Sequence, residues 1–323
     1  MTQSTLLEYG ISETRAVVLE DGEPIEYRLE RPGVRVGIRA PARLLRREGA
    51  RAFVLIDQTE ALLDPAPPDV PEGATLMVEV RREAIPEPGR PRLARAVALP
   101  PGTAPRPGLT LAQTLPAPVH TLASHGPDQL EAAGWSEAIE AARTGLVAFP
   151  GGTLSFTRTP AFLVVDVDGP GTPYDTARAA APALSLAIRR FDLGGSIVVD
   201  MPTLADRAQR AAIGELLDQH LPTPFERTAM NGFGLVQIVR PKLRPSLLDH
   251  VQAAPALTAA LIFLRQAERT PGTGTTTLTA HPEIARQIEP AHLAELTRRT
   301  GRPARLHADP ALAIFAGHAH VQP

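Results

Sequence analysis

Three aspartates carry the spacing that could do chemistry. Asp166 and Asp168 close the run LVVDVD, and Asp200 closes the run SIVVD. Each run is a short stretch of β-branched and apolar residues ending in acid, which is how a buried strand looks when it delivers carboxylates to its carboxyl end. Ligands of open α/β sheets gather beyond those ends. Two or three carboxylates brought together there repel one another unless they are protonated or neutralised by a cation. Hard oxygen ligands with room left for water suit Mg²⁺, with Mn²⁺ as the substitute. Ordinary solvation of strand ends explains the same acids without a metal, and both readings stand on the pattern alone.

The flanking sequence supplies the elements to position them. Residues 162–167 form one predicted strand, between Thr159-Pro160 and Gly169-Pro170-Gly171, and residues 196–201 form a second, entered through Gly194-Gly195. Between them Leu184, Ile188 and Phe191 recur at helical spacing, with Thr172 and Asp175 as starting caps and Pro182 predicting a kink or a late start. Strand, helix, strand makes a crossover unit with two parallel strands. A second helix is expected over 203–220, with Asp206 as a further capping acid. A third strand over 233–239 leads into Arg240, Lys242 and Arg244, alternately spaced cations that could track a phosphate backbone or simply solvate a strand end.

Upstream, residues 5–31 read as two antiparallel strands about the Asp21-Gly22 turn. Five short strand-like runs follow between Val34 and Val97, enough for a small oligonucleotide-binding barrel. Phe53 lies in one of them, either as a base-stacking aromatic or as a core residue. Residues 100–118 read as a Pro-, Gly- and Thr-rich linker. Residues 128–146 read as a helix with Leu130, Trp135, Ile139 and Ala142 on one face. A small α+β unit ends the sequence, where His318 and His320 fit strand alternation better than metal ligation.

Composition removes whole classes. The 323 residues include no cysteine, which excludes disulfides, thiol nucleophiles and thiolate zinc sites, so no zinc is expected. An apolar content of 43% and a charged content of 21% describe a globular chain rather than a disordered one. The net charge of −2 offers no global attraction to nucleic acid, so binding would rest on local patches. No apolar run is long enough to span a bilayer and MTQSTLLEYG lacks a signal-peptide layout; a cytoplasmic location with no membrane association is expected.

Several blocks, in order, resemble the ribonuclease E/G family. LVVDVDG stands where that family has a "DVN"-type strand end, and GGSIVVDM, preceded by DLGG, where it has "GGxIVxDF". The lead-in FPGGTLSFTRTPAFLVVDV and the trailing NGFGLVQIVRPKLRPSL are similar to the flanking family blocks. TRAVVLEDGEPIEYRLER and ARAFVLIDQTEALL are similar to the family's opening strands and S1 barrel. The resemblance implies a mixed α/β and β multidomain fold: N-terminal strands with an S1/OB-like barrel over 1–99, a shortened sensor region over 100–145, a nuclease-like catalytic domain over 146–250 and a small α+β domain over 251–323. It implies a Mg²⁺-dependent endoribonuclease acting on single-stranded RNA, in rRNA or mRNA processing or decay, and leaving 5′-phosphate ends. Asp166 and Asp200 would hold the metal and Asp168 would join them in catalysis. Phe53, Arg240, Lys242 and Arg244 would contact RNA. The sequence departs from the family in lacking the zinc-link cysteines, in a much shorter middle segment that predicts loss of 5′-end sensing, in Leu62 at the second aromatic position, and in Asp168 where the family has asparagine. The last two departures support an alternative: an RNA-binding protein derived from such an enzyme and catalytically weakened.

Overall fold

The structure, a computed structural model, describes residues 2–87, 89 and 91–322. β1 (Gln3–Tyr9), β2 (Thr14–Glu20) and β3 (Glu23–Glu30) form an antiparallel meander. The β2–β3 turn places Asp21 and Gly22 at φ 50° and 89°, the left-handed pair that a tight hairpin needs to match strand twist. β4 (Arg39–Glu48), β5 (Arg51–Ile56), β6 (Thr59–Leu63), β7 (Thr75–Arg82) and β8 (Ala94–Ala98) close a barrel in the order β4-β5-β6-β8-β7.

The Pro-rich stretch after the barrel holds α1 (Leu111–Thr114) and β9 (Val119–Thr121), which pairs in parallel with β1. The predicted helix over 128–146 divides at Gly134 into α2 (Gln129–Ala132) and α3 (Trp135–Thr144). Its expected face, Leu130, Trp135, Ile139 and Ala142, is buried.

The central sheet follows: β10 (Leu146–Phe149), β11 (Gly152–Arg158), β12 (Leu163–Asp168), α4 (Pro173–Arg190), β13 (Gly195–Asp200), α5 (Arg207–His220), β14 (Glu226–Arg227) and β15 (Leu235–Arg240). The strand order is β10-β11-β12-β13-β15-β14. β12 and β13 are parallel and adjacent, joined through α4, as the crossover reading requires. Pro182 neither ends α4 nor delays its start: the helix begins at Pro173, capped by Thr172, and continues to Arg190. The N–H that Pro182 lacks would have served Arg178, which lies on the exposed side of the helix. α5 starts later than expected, with Asp206 as its cap.

The last unit comprises α6 (Leu247–Ala253), α7 (Pro255–Arg269), β16 (Thr275–Ala280), α8 (Pro282–Ala285), α9 (Pro290–Thr300), β17 (Ala304–Ala308) and β18 (His318–Gln322), with sheet order β17-β16-β18.

Apolar packing divides the chain differently from the expected boundaries. Val17, Tyr27 and Leu29 of the meander share one core with Trp135, Leu154, Val165, Leu184 and Val199, whereas the barrel keeps its own around Leu44, Val54, Ile56 and Val80. The meander therefore belongs with the central sheet. The last unit is fastened to the β1–β2 hairpin: Ile11 enters its apolar cluster, Arg265 Nη1 lies 3.2 Å from Glu13 Oε1, and Arg299 donates to the Tyr9 carbonyl at 2.8 Å. A buried ionic group continues this seam, with Arg15 between Glu8 and Asp128 and Arg269 reaching Glu8. Among the described residues no single helix is long and apolar enough to cross a membrane.

Candidate active site

β12 buries Val165 and Val167 against α4 and the core, and period-two alternation turns Asp166 and Asp168 to the open face. β13 does the same with Ile197 and Val199 inward and Asp200 outward. The parallel register makes Asp166 and Asp200 direct Cα partners. Neighbouring strands lie about 4.8 Å apart, and residues so paired point to the same face. Asp168 follows two residues along β12, roughly 7 Å on and on that same face. Three carboxylates thus share one solvent-reachable ledge at the carboxyl end of the parallel pair.

The electrostatics bear the mark of that gathering. The Asp166 carboxyl titrates above the ordinary aspartate value through partial burial, then through the charge of Asp168 and a hydrogen bond shared with it, then through the charge of Asp200. Every charged group that shifts it is another acid.

The surroundings are polar and tightly built. On β11, Ser155 and Thr153 lie opposite Asp166 and Asp168. On the other side Asp200 is paired with Leu235 at the start of β15. The turn into β15 is clamped: Asn231 Oδ1 accepts from the Phe233 and Leu235 N–H groups at 2.9 and 3.0 Å, and the Met201 N–H donates to the Gly234 carbonyl. Gly234 stands at φ +97°, where a Cβ would fall 2.1 Å from the Met201 carbonyl oxygen and 3.7 Å from Asp200 Oδ1. Only glycine brings the turn this close to the ledge. Asp175 and Asp206 are capping groups, the first hydrogen-bonded to Thr172 Oγ1 and the second to the Ala208 N–H.

Among the described residues no group of three or more histidines, aspartates or glutamates is placed to hold a metal ion together. The ledge instead offers two facing carboxylates with a third beside them. That set fits Mg²⁺, which keeps several waters and is commonly held by one or two carboxylates. Uncompensated like charge at Asp166 is the observation that favours a cation there.

The expected RNA contacts lie elsewhere. β15 runs antiparallel to β13, so Arg240 pairs with Gly195 at the entry of β13, on the order of 17 Å from Asp200. Lys242 Nζ sits 2.9 Å from Asp249 Oδ2 in a part-buried pair joined by Arg158. Arg244 bridges Asp192 and Thr114, with both contacts at 3.0 Å. Lys242 and Arg244 brace the base of the sheet through these contacts. They also line a cavity of about 720 Å³ between the barrel and the central sheet, where Lys242, Leu243 and Arg244 face Arg31, Glu83 and Leu109, away from the ledge.

Phe53 is only 9% exposed, and the Arg46 guanidinium covers its ring 3.6 Å from the centroid, so neither ring face is open for stacking. His318 and His320 stack on each other along β18, with ring centroids 6.2 Å apart.

The third strand begins at Leu235, not at residue 233 as its sequence suggests, because Gly232 and Gly234 keep Phe233 in the turn before it, where the ring is 80% exposed beside the ledge. His250 is buried at the base of the sheet and had no signal beyond the apolar helix around it. No protein-family model matches the chain, and no curated protein matches it.

Proposed function

We propose that the protein is a divalent-metal-dependent endoribonuclease acting on single-stranded RNA, with Asp166 and Asp200 holding Mg²⁺ or Mn²⁺. The observation that carries this reading is the in-register pairing of those aspartates on an exposed strand end, with the Asp166 carboxyl perturbed by its acidic neighbours. Bound there, the metal supplies Lewis-acid chemistry, lowering the pKa of water and offsetting phosphate charge. The chain's own groups do the rest. Asp166 and Asp200 fix the cation against the phosphate. Asp168, an acceptor when ionised, orients the attacking water and takes its proton. The Ser155 and Thr153 hydroxyls, opposite Asp166 and Asp168, can donate to phosphate oxygens. Water oxygen bonds phosphorus as the bond to the 3′ oxygen breaks, giving a 5′ phosphate and a 3′ hydroxyl. The five-stranded barrel is read as an S1-type module that guides the strand, and the site of action as the cytoplasm.

A second reading, that RNA is bound and not cut, is favoured by the third carboxylate and by there being, among the described residues, no cation ion-paired with the ledge acids. A labelled A/U-rich single strand incubated with protein and Mg²⁺, beside Asp200→Ala, separates the two. Cleavage that EDTA and the substitution both abolish supports the nuclease. Binding without cleavage supports the second reading.

A further inference from the structure

Phe233 leaves 80% of its surface in water, on a turn held by several hydrogen bonds. The clamp on Asn231 and the close approach of Gly234 fix the Phe233 backbone, and Gly234 sets it beside Asp200. The backbone that carries the ring is therefore fixed before any ligand arrives. Around it the ledge offers acids, the Ser155 and Thr153 hydroxyls, backbone and the exposed Leu235, and among the described residues no cation is ion-paired with the three acids, so a nucleic-acid strand lying there gains from contacts beyond those to its phosphates. A flat apolar face at that point matches one component of such a strand, the base.

We propose that Phe233 is a stacking post for a nucleobase of the strand lying across the acid ledge, adjacent to the phosphate that the aspartates address. The inference rests on the nuclease reading for the position of that phosphate, and its own content is a base contact. Stacking is sequence-tolerant, because every base has a π face, so the post would orient the strand without selecting a sequence. Tryptophan should serve in its place and alanine should not.

The test measures binding in EDTA, where no cutting intervenes, of short single-stranded RNAs in which one base at a time is removed while the ribose-phosphate is kept. The expected result is that Phe233→Ala weakens binding of the intact strand about 5- to 100-fold, that Phe233→Trp restores it, and that melting temperature is unchanged. Base removal at one position should cost the wild-type protein a similar factor and cost Phe233→Ala nothing further. If wild type and Phe233→Ala respond equally to base removal at every position, the post is overturned. The same holds if Phe233→Ala changes only self-association. Failure of the wild-type protein to cut in Mg²⁺ would remove the nuclease reading and leave this binding comparison intact.

Discussion

Asp166 and Asp200 face each other across the parallel β12–β13 ladder as like charges on one exposed surface, with Asp168 alongside. An unbound site of this kind holds repulsion that a divalent ion relieves, because a ligand that binds only the folded state stabilises it by mass action. Millimolar Mg²⁺ should raise the melting temperature of the wild-type protein and leave Asp200→Asn unmoved, as read by scanning calorimetry. The sign with pH follows from the raised Asp166 value. Below pH 3.8, the ordinary aspartate value, the acid is neutral in both folded and unfolded chains and there is no penalty. The penalty grows as pH rises through the folded-state value. Asp166→Asn should therefore gain on the order of 1–2 °C at pH 7 without metal, and nothing at pH 3.

Asp249 is fully buried and neutralises Lys242 and Arg158 while capping α6 through Ser246. Burial pushes its carboxyl up, but Lys242, Arg158 and the Ser246 N–H outweigh that and hold it below the ordinary value. Its contribution is complete above about pH 4 and is lost as pH falls through the lowered value. Asp249→Asn leaves two cations uncompensated and should cost about 3–5 kcal/mol in urea unfolding. Lys242→Met should cost less, since Arg158 still faces the acid. Should Lys242→Met prove as damaging as Asp249→Asn, the lysine has a further role.

His250 behaves differently. Burial first, and Arg31 second, depress its imidazole from 6.5 to about 3, so it is neutral in the folded protein at neutral pH. The folded state then binds fewer protons than the unfolded chain between those values, and stability declines as pH drops from 6.5 towards 3. His250→Gln should flatten the stability curve between pH 6 and 4, a window above the one assigned to Asp249. Urea midpoints across that range provide the measurement.

Gly234→Ala places a methyl group against the Met201 carbonyl at a backbone angle that side chains disfavour. Strain alone should cost about 1–3 kcal/mol, and displacement of the turn should lower any cleavage at the ledge more than Gly232→Ala, whose Cβ would meet nothing within 4 Å. Equal activity in the two variants would show that the turn does not position Asp200.

Local pattern carried much of this architecture. Apolar runs ending in acid marked β12 and β13 and put Asp166, Asp168 and Asp200 at their carboxyl ends, and helical spacing marked the buried side of α3. The Asp21-Gly22 pair marked its hairpin. What it could not carry was partnership across the sheet. The direction of β15 relative to β13 decides that Arg240, Lys242 and Arg244 stand at the far end from the acids, and nothing within 233–244 states that direction. Phe53 reads identically whether or not Arg46 lies over its ring. The meander's allegiance to the central core depends on Trp135 and Leu184, more than a hundred residues away.

The seam between the β1–β2 hairpin and the last unit has a consequence for biosynthesis. Glu8 and Glu13 are made more than 250 residues ahead of Arg265 and Arg269, which pair with them, and Tyr9 is made 290 residues ahead of Arg299, which donates to its carbonyl. Until those arginines are made the hairpin must keep its acids hydrated and Ile11 uncovered, so its contacts close long after its strands are synthesised. Nascent chains stalled before residue 255 should be caught by holding chaperones through that hairpin, and completion of α7 and α9 should release them.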